Sequence, residues 1–220
     1  KEFYKSICPG RSLGNKNPDK QEIAMKEAIK KLYLNLRFIR YRSVYNKFKN
    51  YTMIPGLIYY ANLNLCRKYS KISGAIVECG TWKGGMIGGI AFIMGKDRSY
   101  LLFDSFEGLP PAKEIDGESA IKWQANKTSP RYFDNCKASE QFAYEAMNIS
   151  GASKVKIKKG WFNETLHKVH INDGIAILRM DADWYDSTLE ILTVLFPRVK
   201  KGGLIIIDDY YTWDGCSKAV

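Results

Sequence analysis

Four apolar runs in this chain end the same way. Ala75-Ile-Val-Glu78, Tyr100-Leu-Leu-Phe-Asp104, Ile175-Ala-Ile-Leu-Arg-Met-Asp181 and Leu204-Ile-Ile-Ile-Asp208 each close on a carboxylate. The runs are nearly continuous in apolar residues instead of alternating with polar ones. Short continuous runs read as strands buried on both faces, which is the pattern of a parallel sheet covered by helices. Segments with helical character separate them, so strand and helix alternate. The expected architecture is α/β: a mostly parallel, Rossmann-like sheet with helices on both faces, preceded by a helical arm.

The arm is expected over 1–50 and the main domain over 51–220. One long helix is predicted over 18–49, where Met25, Ile29, Leu32, Leu36 and Ile39 recur at spacings of 4, 3, 4 and 3 and so share a face. That stripe suits a twin subunit or the chain's own domain equally. Further helices are expected over 54–69, 84–94, 136–149, 164–169 and 187–196, and near Asp214. Besides the four runs, Val155–Gly160 reads as a strand. The stretch 107–134 reads as a long polar loop, long enough to suggest a lid. Ser187-Thr-Leu-Glu190 fits a capping box, making Asp186 and Ser187 helix-start residues.

Charge supports this division. The net charge is +11, yet residues 1–50 carry 13 Lys/Arg against 4 Asp/Glu and so hold nine of those charges. A basic arm suits nucleic acid, anionic lipid or an acidic substrate, and equally a plain solvated helix face. No apolar run approaches the roughly 20 residues of a membrane span. The five cysteines form no C-x-x-C pair, which fits a reducing, cytoplasmic setting better than a zinc site or disulfide framework.

In open α/β sheets ligands bind outside the carboxyl ends of the strands. The first end, Glu78-Cys-Gly-Thr-Trp-Lys-Gly-Gly85, is not a dinucleotide fingerprint, because Trp82 stands where the second glycine belongs. It is not a phosphate-binding P-loop either. An acid and a small turn before a helix suit a cationic amine, or else mark an ordinary turn. At the second end Asp104 is placed to accept hydrogen bonds from a ribose diol, 24 residues past Gly80. Phe106 is placed to lie on an adenine face. At the third and fourth ends, neighbouring strands would bring Asp181 beside Asp208 and Asp209. Unit charges about 4 Å apart repel by about 4 kcal/mol at an effective dielectric near 20. Such crowding requires raised pKa values or a hard cation, Mg²⁺ before Ca²⁺ or Mn²⁺. His167 and His170 read as surface or core residues.

Together these pieces resemble the macrocin O-methyltransferase family of S-adenosylmethionine enzymes. The matching stretches are YTMIPG at 51–56, VECGTWKGG at 77–85, LLFDSFEGLP at 101–110, NCKAS at 135–139, KGWFNETL at 159–166, RMDADWYDST at 179–188 and GGLIIIDDY at 202–210. The resemblance implies a class I methyltransferase fold that methylates a sugar hydroxyl of a small molecule. Carried over by position, it implies Thr52 and Met53 at the methionine end of the cofactor, and Glu78, Gly80 and Thr81 on its amino acid part. Asp104, with Ser105 and Phe106, would hold the ribose, and Ser139, Gly160 and Trp161 would sit near the adenine. Asp181, Asp208 and Asp209 would ligate Mg²⁺, with Asp183 as base. The family continues into a final strand pair, so a longer chain is expected. The arm and the loop 111–134 have no counterpart in it, which leaves the acceptor open. Three other readings remain: a catechol-type methyltransferase, an RNA methyltransferase, and a nucleic-acid- or membrane-binding module on a degenerate methyltransferase fold.

Overall fold

The computed structural model describes residues 25–29 and 39–220. Residues 25–29 are helical, and half of the expected helix over 18–49, with Leu32 and Leu36, lies outside the described residues. Its last part is a succession of short pieces: a 3-10 turn at Ile39–Tyr41, helix α1 at Arg42–Phe48, and a second 3-10 turn at Lys49–Tyr51. From Arg40 to Val220 the chain forms one compact unit.

That unit is built on five strands: β1 (Ala75–Cys79), β2 (Ser99–Asp104), β3 (Lys154–Lys159), β4 (Ile175–Met180) and β5 (Val199–Ile207). They lie side by side in the order β3-β2-β1-β4-β5, and every pair is parallel. Burial follows position. Every residue of β1 and β4 is buried, whereas β3, at the edge, alternates exposed lysines with half-buried Val155 and Ile157. Lysines along an edge strand oppose pairing with another chain.

The helices are α2 (Gly56–Lys68), α3 (Gly85–Met94), α4 (Glu118–Ala125), α5 (Glu140–Ser150), α6 (Phe162–Thr165), α7 (Tyr185–Leu195) and α8 (Asp214–Ala219). One core layer joins Val77, Phe103, Leu178 and Met180 of the sheet to Leu166, Ile191 and Leu195. Two sequence expectations need correction. The stretch 107–134 is not a plain loop, because it contains a 3-10 turn at Glu114–Asp116 and helix α4. Nor does Ser187 open a capping box. Helix α7 begins at Tyr185, its N-cap Trp184 gives no side-chain bond, and Glu190 instead meets His167 at 2.8 Å. The cap comes from far along the chain: Asp116 Oδ1 accepts from Tyr185 N at 2.7 Å while its Oδ2 accepts from Lys113 N at 2.7 Å. One buried carboxylate thus ties the 107–134 segment to the start of α7.

Candidate functional site at the carboxyl edge of the sheet

The strand order reverses between β1 and β4, and the two strand ends touch there. Gly80 has φ +82°, and a Cβ at that position would lie 1.6 Å from the Asp181 carbonyl oxygen. A side chain at 80 would force the two ends apart. Gly85, at the start of α3, is crowded in the same way by Tyr51 and Thr52. Tyr51 and Thr52 therefore lie against the helix N-terminus.

Asp104 organises the next turn. Its Oδ2 accepts from Trp82 N at 2.7 Å and its Oδ1 from Phe106 N at 2.6 Å. Trp82 and Phe106 both hold left-handed backbone, φ +49° and +57°, which costs energy away from glycine. The carboxylate fixes both. Burial lifts its pKa, and these backbone bonds pull it back. Each oxygen keeps a second lone pair for a further donor.

The expected cofactor residues do not share one surface. Gly80, Asp104, Ser105, Gly160 and Trp161 line a cavity of about 470 Å³ together with Asp181, Leu109 and Trp184. Phe106 and Ser139 line a second cavity of about 560 Å³ with Lys83, Lys137 and Phe142. Ser139 also caps α5, accepting from Gln141 N at 3.3 Å. Thr81 is buried, and so is Glu78, whose Oε1 meets Arg179 Nη1 at 3.1 Å while Oε2 has no partner. Glu78 thus faces a guanidinium inside the protein.

The acids after β4 and β5 converge as the parallel pairing requires. Met180 pairs with Ile207, so Asp181 and Asp208 leave the sheet side by side. Oxygens of Asp181, Asp208 and Asp209 lie within 4.8 Å of one another, a spread that one cation can bridge. Asp183, at φ +56°, donates its N–H to Asp209 Oδ2 at 3.1 Å. Trp213 Nε1 donates to Asp183 Oδ1 at 2.7 Å. The sequence reading overlooked Arg179 as a partner. Its Nη1 reaches Asp181 Oδ2 at 3.0 Å and its Nη2 reaches Asp208 Oδ1 at 2.8 Å, in addition to Glu78. The available signal was an arginine inside an apolar strand, because a buried guanidinium demands acids.

One guanidinium does not neutralise five carboxylates. Burial raises Asp181 to about 6 against the pull of Arg179. Burial and the charge of Asp181 raise Asp183 to about 7. Asp209 is pushed well above the carboxylate range, chiefly by burial and then by Asp183. A hydrogen bond from Asp209 draws Asp181 part of the way back. Raised pKa values of this kind mark a shortage of positive charge, and carboxylate oxygens are the donors that Mg²⁺ prefers. The residues fit that ion. His167 is exposed on Glu190, and His170 lies by a third cavity at the opposite end of the strands, away from the acids.

A parallel sheet in the order 3-2-1-4-5, with a glycine turn after β1 and an acid closing β2, is a doubly wound, Rossmann-like arrangement, as the resemblance to class I methyltransferases implies. The sequence profile of the family described as macrocin-O-methyltransferase (TylF) matches residues 49–220. The chain belongs to that family. It is 34% identical over 158 residues to demethyldecarbamoylnovobiocin O-methyltransferase of Streptomyces niveus, covering 69% of this chain and 58% of that protein. It is 30% identical over 160 residues to mycinamicin III 3''-O-methyltransferase of Micromonospora griseorubida, covering 68% and 59%. The chain thus spans somewhat under two thirds of these relatives. Among solved structures it resembles the O-methyltransferase NovP, with a TM-score of 0.61, 31% identity and coverage of 77% of this chain and 71% of that one. Its likeness to the calicheamicin methyltransferase CalS11, at TM-score 0.56 and 16% identity, is one of fold; it covers 96% of this chain and 89% of that one. Among the described residues no helix is long and apolar enough to cross a membrane.

Proposed function

We propose that this chain is the core of an S-adenosylmethionine-dependent O-methyltransferase that methylates a sugar hydroxyl of a glycosylated small molecule. Family membership supports the reaction class. The observation that carries the site is the meeting, on one sheet edge, of the Asp104 turn with the Asp181–Asp183–Asp208–Asp209 cluster. Asp104, Ser105, Gly80, Gly160 and Trp161 would hold the cofactor along their shared cavity, with Thr52, Met53 and Thr81 near its amino acid end. Glu78 would act from behind the turn, and Phe106 and Ser139 from the adenine side. Asp181, Asp208 and Asp209 would hold Mg²⁺. When bound, the cofactor supplies the methyl group and the ion makes a nearby hydroxyl more acidic.

The protein's own part is orientation and proton transfer. Arg179 holds one oxygen each of Asp181 and Asp208 and so orients both carboxylates. Asp183, raised to about 7, is a base matched to neutral pH, and it takes the acceptor's hydroxyl proton. Leu109, Pro110, Trp161 and Trp184 wall the cavity. The four cysteines among the described residues are all free, which suits a cytoplasmic enzyme. Labelled methyl transfer from S-adenosylmethionine to a panel of aryl deoxyhexosides, with Mg²⁺ or with EDTA, tests the reading. Transfer to a sugar hydroxyl that stops in EDTA is the expected result. Transfer to catechols alone would replace it.

A further inference from the structure

Three tryptophans meet beside the acid cluster, each from a different part of the chain. Trp123 belongs to α4, within the 107–134 segment; Trp184 precedes α7; Trp213 precedes α8. Their rings pack edge to face, with centroids 6.2 Å apart for Trp123 and Trp184, 6.0 Å for Trp123 and Trp213, and 5.3 Å for Trp184 and Trp213. Such contacts are directional and fix ring planes. The indole N–H groups then differ in what they reach. Trp123 donates to the Arg131 carbonyl at 3.1 Å and Trp184 to the Pro110 carbonyl at 2.9 Å, both within the segment that lines the cavity. Trp213 donates to Asp183 Oδ1 at 2.7 Å.

Asp183 needs such support. It is a non-glycine residue at φ +56°, a conformation that persists only where neighbours over-determine it. One neighbour is the Asp209 carboxylate on its N–H, and the other is Trp213 on its side chain. We propose that Trp213 is a positioning residue that aims the Asp183 carboxylate, and that Trp123 sets Trp213. The segment that walls the acceptor side of the cavity would then also fix the group that takes the proton. This rests on the reading of Asp183 as base.

The test uses the full chain, with 4-nitrophenyl α-L-rhamnoside as probe acceptor. Trp213→Phe keeps the ring and removes the donor. It should lower kcat about 10- to 100-fold, as expected for one hydrogen bond to a charged group, with KM and cofactor Kd held within about twofold. Trp123→Ala, at a residue whose indole N–H donates to the Arg131 carbonyl, should lower kcat about 2- to 10-fold. In the double variant the second loss should vanish, leaving the rate of Trp213→Phe. Hydrogen exchange of the Trp213 indole N–H, followed by NMR without any acceptor, should quicken in Trp123→Ala. If Trp213→Phe fails to fold, Trp123→Ala and the exchange measurement decide alone. Wild-type kcat in both variants while Asp183→Asn is inactive overturns the positioning role and spares the base. Multiplying losses, or unchanged exchange in Trp123→Ala, overturn the link between the rings. Wild-type turnover in Asp183→Asn overturns the base reading itself.

Discussion

Two corners of one sheet edge use the same residue in opposite ways. At the end of β2, Asp104 stands alone and accepts two backbone N–H groups at 2.6 and 2.7 Å. At the ends of β4 and β5, Asp181, Asp183, Asp208 and Asp209 crowd together with one guanidinium to share. The first corner supplies its own positive dipoles and is complete as a turn. The second is short of positive charge, which raises the pKa values of its acids. Position in the fold does not fix what an aspartate does; the donors built around it do. A carboxylate anchored by backbone N–H groups shapes the turn around it, whereas an undersupplied cluster has the charge to attract a cation.

Breaking the second corner should have the largest effect. Asp181→Ala is expected to abolish Mg²⁺ binding and slow methyl transfer about 10³-fold or more, because a metal's charge stabilisation amounts to several kcal/mol. Steady-state rates and metal titration check this together. Asp183→Asn should lower kcat about 10²- to 10⁴-fold, the range for a positioned base, while calorimetry finds cofactor affinity intact.

Breaking the first corner should look different. Asp104→Asn removes the charge that anchors Trp82 and Phe106, and hydrogen bonds to charged groups contribute about 1.5–3 kcal/mol each. Cofactor Kd should rise about 10- to 100-fold with Mg²⁺ affinity unchanged. A matching fall in Mg²⁺ affinity would merge the two corners into one site.

A gentler probe is pH. Asp181, Asp183 and Glu78 have folded pKa values of about 6, 7 and 8, all above their unfolded values near 4. Carboxyls raised in this way favour the fold while protonated, and that contribution is lost as pH rises through 6 to 8. The metal-free melting temperature should therefore fall between pH 5 and pH 8, and saturating Mg²⁺ should restore it at pH 8. A metal-free curve that rises over this range would show the acids already neutralised. The smallest effect is expected at His167, exposed on Glu190, where alanine should change neither melting temperature nor rate.

Much of this was legible in the sequence, for physical reasons. Continuous apolar runs read as strands of a sheet covered by helices, so the sequence order and type of β1, β2, β4 and β5 followed from the pattern, although β5, at the edge, is only partly buried. Parallel pairing then made the meeting of Asp181 with Asp208 and Asp209 unavoidable. The features that escaped depend on contacts across long stretches of chain. Asp116 caps α7 from 69 residues away, which no capping-box pattern over 187–190 can reveal. Helix α4 is short and has one buried residue, Ala120, so it left no helical periodicity to find. Arg179 lies within an apolar strand, and only its burial against acids from three strand ends makes it their shared partner.

The most direct test of the central claim is a calorimetric titration of Mg²⁺ into the wild-type chain and Asp209→Ala, in buffers of different ionisation enthalpy. The account predicts one ion per wild-type chain, taken up with release of protons from the acid cluster, and no binding to the variant. Equal binding by both proteins, or full methyl transfer by a wild-type chain that binds no metal, would contradict it.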